Sequence, residues 1–430
     1  MRRLFVLAAV LSLAVGALPA AGAPAAGPGP GYIATDNVEW LGTIPINTDS
    51  AGGRLLDGYF YVTDDRGLTI YDVANPELPM LKGFAPVPQG AYYVEEDVDT
   101  NGSIALIGSY GDLSPADDGP LNRLIVVDVK DKAAPKVIGE LEGADSHTVS
   151  CVLDCTYAYN SDGRIIDLTD PANPTFTGTR WADADGPQGV TGAHDVTEVA
   201  PGIVVTSSNP MLVLDANADP ANPTLDGSGA PGDDRYMHGN LWPQGGTDEF
   251  VLAGGETFGD CADESSGAFM TFDTTTDEAT GTTTMTKVDE FRLFTGVPTD
   301  GNSPYNQYCA HWFDTHPTYA DGGVVAMGWY EHGTRFLDVA DDGQITEKGW
   351  FYPVGGSTSA AYWITDEIVY AVDYQRGIDI LKFTDTPASG TTEVAASPGY
   401  TAPLPTRPPM SAMAAKALSR DPYACPLPGA

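Results

Sequence analysis

The sequence predicts an all-β fold, a seven-bladed β-propeller whose N-terminal strand completes the last blade. Three observations predict it. A strand ending in Asp recurs along the chain. A Pro-containing turn and a further strand follow most copies. One strand of that further kind stands alone at the front of the chain.

The recurring strand reads Leu68-Thr69-Ile70-Tyr71-Asp72, then Leu124-Ile125-Val126-Val127-Asp128, then Arg164-Ile165-Ile166-Asp167. It returns as Met211-Leu212-Val213-Leu214-Asp215, Phe269-Met270-Thr271-Phe272-Asp273 and Arg335-Phe336-Leu337-Asp338. A seventh copy, Ile378-Asp379-Ile380-Leu381-Lys382, carries Lys in the last place. The marks fall 56, 39, 48, 58, 65 and 44 residues apart, which suits four-stranded units with loops of variable length. Turns such as Asp170-Pro171-Ala172-Asn173-Pro174 stop the strand, because proline fixes φ and removes a donor.

Outer strands follow, among them Met80 to Ala85, Lys136 to Glu142, Thr175 to Trp181, Val288 to Phe294 and Glu347 to Tyr352. Thr224 to Gly227 is a short, weak member of the set. The last mark has no outer strand after it, whereas Val38 to Ile44 is an outer strand without a blade. Closing the ring matches the two and removes an exposed sheet edge. The abundance of Gly (49) and Pro (34) fits many short strands joined by turns.

This places the propeller at residues 37–385. Residues 1–23 read as a signal peptide: Arg2 and Arg3, an apolar run from Leu4 to Leu18, and an Ala21-Gly22-Ala23 cleavage site. Residues 24–36 are expected to be a linker and residues 386–430 a disordered Pro/Ala-rich tail. The mature chain is expected to be secreted, monomeric and free of integral membrane segments. Its net charge of -38 argues against nucleic acid as a partner.

Aligning the innermost strand of each unit brings out a pattern. His147, His194, His238 and His311 occupy one structural position in four consecutive units, and Glu96 occupies it in the unit before. In a closed ring these side chains converge on one end of the central channel. Imidazoles with a carboxylate suit a divalent transition metal, Zn, Cu, Mn or Fe, or else line a pocket for a small polar ligand. A histidine at a blade edge can equally hold the neighbouring backbone; only its recurrence in part of the ring favours a site. Asp195 and Asp97 adjoin ring positions and are candidates to orient the imidazoles. Glu331 and His332, in a turn at the same end, are catalytic candidates as an acid/base pair. His316 is expected to be structural. Arg66, Arg123, Arg164, Arg335 and Arg376 recur before the third strand and are expected to pair with nearby acids.

Five cysteines in an exported chain permit disulfides. Cys151 and Cys155 flank a short turn and are expected to be bridged. Cys261 and Cys309 lie in long loops of neighbouring units and are expected to pin a lid over the histidines. Cys425 is left over. Free or metal-bound cysteines are the alternative for both pairs.

The strand Leu124 to Asp128 and its copies resemble the signature of the LVIVD-repeat family of exported bacterial proteins, over about 350 residues. That resemblance implies a β-propeller and no particular activity. The channel histidines are similar in kind to those of the selenium-binding/methanethiol oxidase proteins, which are seven-bladed and metal-dependent; this is an analogy of fold and residue type. The function expected is metal or small-ligand binding at the channel mouth, with metal-dependent redox or hydrolytic activity open. The rival is a non-catalytic extracellular module binding protein or glycan through its loops.

Overall fold

A computed structural model describes residues 31–45, 47, 52–64, 66–86, 91–111, 123–144, 147–186, 188–233, 235–256, 267–277, 279–293 and 310–395, with backbone alone for 91–97 and 109–111. Among them, strands dominate. The helical turns are Trp181–Asp183 and Pro243–Gly246.

Residues 53–86, 91–142 and 149–180 each form a four-stranded antiparallel meander with strands in sequence order. The next two meanders, 196–230 and 236–291, share one eight-stranded sheet, because their outer strands Thr224–Ala230 and Thr283–Phe291 pair in parallel. Residues 313–353 follow. In the last sheet, Thr358–Trp363, Ile368–Asp373 and Gly377–Phe383 take their fourth strand from the front of the chain: Val38–Ile44 pairs with Gly377–Phe383.

The innermost strands touch in succession around the ring. Gly53–Leu56 meets Ala91–Thr100, which meets Val149–Val152, then Val196–Ala200 and Tyr236–Leu241. Gly239 lies against Trp312 and Phe313, and Phe313–Thr315 meets Thr358–Trp363, which returns to Gly53–Leu56. The cores lie between sheets. One joins Tyr61, Leu68 and Ile70 to Val98, Ile107 and Ile125. Another joins Phe60 and Tyr71 to Tyr370 and Ile380, sealing first sheet to last.

The repeated Asp has a local cause. Asp72, Asp128, Asp167 and Asp215 each accept the backbone N–H two residues on, at 3.1, 3.1, 2.8 and 2.7 Å. An Asx turn of this kind ends the strand and starts the bend. The outer-strand glycines have another cause. Gly83 and Gly139 sit at register shifts where the turn of the next meander packs on the strand. A Cβ there would lie 2.1 Å from the Lys132 carbonyl and 2.3 Å from that of Pro171.

Several expectations need correction. Tyr32–Thr35, inside the stretch expected to be linker, is a strand paired with Ile345–Pro353 on one side and Thr391–Val394 on the other. Thr391–Val394 itself falls in the stretch expected to be a disordered tail. The supposedly weak outer strand extends to Thr224–Ala230. The expected bridge between Cys151 and Cys155 is present. The signal peptide, the proposed Cys261–Cys309 bridge, Cys425, the lid loops and the Glu96 and Asp97 side chains lie outside the described residues.

Candidate metal centre

Four innermost strands deliver the histidines. His147, His194 and His311 each stand two residues ahead of their strand, and His238 lies within Tyr236–Leu241. All four are buried, with exposures of 1% or less. His147 Nε2 is 2.9 Å from His194 Nε2. The His194 ring stacks on that of His238 at 3.6 Å, and His238 meets His311 at 4.1 Å between centroids. The four imidazoles predicted to converge therefore do so, as a continuous row.

Within that row, one set has metal-ligand spacing. Ligand atoms of His238, His311 and Glu256 all lie within 4.8 Å of one another, and His238 Nε2 is 3.8 Å from Glu256 Oε2. Glu256 ends the strand Phe250–Glu256 and is 1% exposed. Sequence reasoning missed it, because it lies on the second strand of its meander and not on the innermost. A carboxylate closing the otherwise apolar and glycine run Phe250-Val251-Leu252-Ala253-Gly254-Gly255 was the available signal.

The surroundings fix each ligand. His311 Nδ1 donates to the Ser359 carbonyl at 2.7 Å, which puts the lone pair on Nε2. Tyr330 Oη donates to Glu256 Oε1 at 2.7 Å, so the other carboxylate oxygen faces His238. The Tyr330 ring packs 4.4 Å from His311 and lies parallel to Tyr374 at 6.0 Å. Trp312 covers the row, 5.0 Å from His238.

Backbone carbonyls orient His311 and His194. Asp195 accepts from Thr197 Oγ1 at 2.8 Å and from Asn240, and burial pushes its pKa up to about 7.

Residues 54–85 match the family model described as LVIVD repeat. That stretch carries one LVIVD repeat. No curated protein matches the chain in sequence. Three solved structures resemble the chain. The periplasmic gluconolactonase PpgL of Pseudomonas aeruginosa shows 12% identity and a TM-score of 0.49, covering 85% of this chain and 99% of that one. YCF48 bound to D1 peptide shows 8% identity and 0.49, covering 81% and 98%. The WD40 β-propeller domain of Doa1 shows 8% identity and 0.46, covering 82% and 98%. At these scores none bears on activity.

Tyr330, rather than its neighbours Glu331 and His332, is the residue of its turn that meets the histidines. Burial pushes the Glu331 carboxyl up to about 8. Burial, with Arg335 nearby, pulls His332 down to about 4. His316 is structural as expected, bonded to Thr318 and to the Asp366 carbonyl. The recurrent arginines pair with acids: Arg66 with Asp64, Arg123 with Glu140, Arg164 with Asp162, Arg335 with Glu347 and Arg376 with Asp379.

Proposed function

We propose that this chain is an exported, seven-bladed β-propeller that binds a divalent transition metal through His238, His311 and Glu256 at one end of its channel. The observation that carries the reading is the buried set of two imidazoles and one carboxylate within 4.8 Å, with its ligands held by Ser359 and Tyr330. The blade count is supported by the meanders at 53–86, 91–142, 149–180, 196–230, 236–291 and 313–353, and by the last sheet closed by Val38–Ile44. Export is supported by the Cys151–Cys155 disulfide, since such bonds persist in oxidising compartments, and by the leader-like first 23 residues. No described helix is long and apolar enough to cross a membrane.

Two histidines and one carboxylate fill part of a coordination sphere and leave positions open, as in catalytic zinc sites and non-haem iron sites. A bound ion there supplies Lewis acidity or an activated water to a small polar ligand, which is hydrolytic or redox chemistry. The protein contributes a dry, aromatic enclosure from Trp312, Tyr330 and Tyr374, and a carboxylate aimed by a phenol.

The test is elemental analysis of untagged protein. One tightly held equivalent is expected, lost in Glu256→Gln and His311→Ala, with melting lowered by a chelator. Metal-free wild-type protein that melts identically with and without the chelator would defeat the proposal.

A further inference from the structure

Half of the histidine row lies outside the three-residue set. His147 and His194 are 1% and 0% exposed, and their Nε2 atoms approach to 2.9 Å with ring planes at 79°. His194 Nδ1 lies 3.2 Å from the His238 carbonyl. A carbonyl only accepts, so that nitrogen carries the proton and the His194 Nε2 lone pair points at His147. His147 Nε2 therefore supplies the hydrogen in the metal-free pair.

The same separation has a second solution. Two nitrogens bound to one ion at about 2.0–2.1 Å, and 2.9 Å apart, subtend roughly a right angle. A tetrahedral ion needs them about 3.4 Å apart. A right angle is the cis angle of a tetragonal ion such as Cu(II), which also outranks zinc for nitrogen donors. His194 already has the tautomer such an ion needs, and its backbone acceptor holds the ring. His147 needs only to move its proton from Nε2 to Nδ1, so nothing is released.

We propose that His147 and His194 form a second ion site, adjoining the first through the stacked His194 and His238 rings and selective for Cu(II)-like ions over zinc. This goes beyond the single-ion reading, and the two fail separately. The imidazoles supply two positions and leave the rest to water or an entering ligand. Two ions side by side would each hold one oxygen of a polar substrate.

The experiment counts metal retained by untagged full-length protein against a competing chelator, with Cu(II) or Zn(II) as the probe. Wild type is expected to hold two copper ions but one zinc, and the second copper to show nitrogen splitting in its electron paramagnetic resonance spectrum. His147→Gln and His194→Gln should each keep one copper and the full zinc content, which also reports that they are folded. A wild-type count of one copper that His147→Gln retains overturns the inference. Two coppers retained in His147→Gln overturn it as well. A single copper lost equally on changing His147, His194, His238 or His311 overturns it in favour of one shared ion. Wild-type protein without zinc, but with a copper that His147→Gln removes, would keep this site and defeat the three-residue one.

Discussion

At the scale of single residues, the centre is a matter of which nitrogen or oxygen is already committed. His311 and His194 spend Nδ1 on backbone carbonyls, and Glu256 spends one oxygen on Tyr330. The histidines were legible in the sequence because one residue type recurs at one repeat position. Glu256 and Tyr330 were not, since each stands outside the innermost strands and nothing periodic marks it. Glu331 was legible as a residue of interest but for a different reason from the one its turn suggested. It is largely buried with Oε1 unbonded, and burial alone raises its pKa to about 8. The sign follows from linkage. A folded pKa above the unfolded value gives stability that is complete below the unfolded carboxyl value of 4.5 and is lost as pH rises through 8. His332, depressed to about 4, gives the opposite slope, complete above 6.5 and lost as pH falls through 4. Between pH 6.5 and 8 only Glu331 of the two titrates. Chemical denaturation across that window should show wild type losing stability relative to Glu331→Gln, by on the order of a few kcal/mol at the upper end. Asp195 titrates near 7 in both proteins and cancels. Parallel curves for the two would show that Glu331 ionises without cost.

At the scale of the element, each repeat is a strand, an Asx turn and an outer strand notched by glycine. The Asp was read correctly as a mark, and its amide partner two residues on explains why the strand must stop there. The reason for the outer-strand glycine lies between blades, and no single repeat displays it. Gly139 and Gly42 occupy the same register shift in different sheets. A Cβ on Gly139 would press on the Pro171 carbonyl at 2.3 Å, whereas nothing lies within 4 Å of one on Gly42. Gly139→Ala is expected to cost about 1–3 kcal/mol by overpacking, and Gly42→Ala close to nothing, in urea unfolding of the two variants. Equal costs would mean that the glycine serves the bulge itself and not the neighbouring turn. The strands the sequence concealed have physical excuses too. Thr391–Val394 is exposed along its whole length and so shows no apolar alternation. Thr224–Ala230 reads as a short, weak strand because Gly227 and Gly229 interrupt its side chains, and that bareness is what admits Thr283–Phe291 alongside.

At the scale of the whole molecule, the histidine row exists only because the sheets close on themselves. That closure was legible from one fact, an outer strand at the front of the chain with no blade of its own. What holds it was not, because the latch joins residues more than three hundred apart. Arg376 and Asp379, each 1% exposed, form a forked ion pair with contacts of 2.8 and 3.0 Å. Arg376 Nη1 also donates to the Gly31 carbonyl at 2.8 Å. Asp379 accepts Trp40 Nε1 at 2.9 Å and the Thr43 hydroxyl, both from the closing strand. One carboxylate therefore ties the first strand of the ring to the last. Removing it strands a buried guanidinium, so Asp379→Ala should cost about 3–5 kcal/mol in equilibrium unfolding. Replacing both partners, as Arg376→Met with Asp379→Ala, should restore much of that loss, because no charge is then left uncompensated. Metal content in the single variant gives the functional reading. A ring loosened at its seam should still hold its ligands, which come from the stretches 236–256 and 311–315 and not from the latched sheet, until the whole sheet array unfolds in one transition. Loss of metal at denaturant concentrations well below the main transition would show instead that the channel end opens independently of the seam.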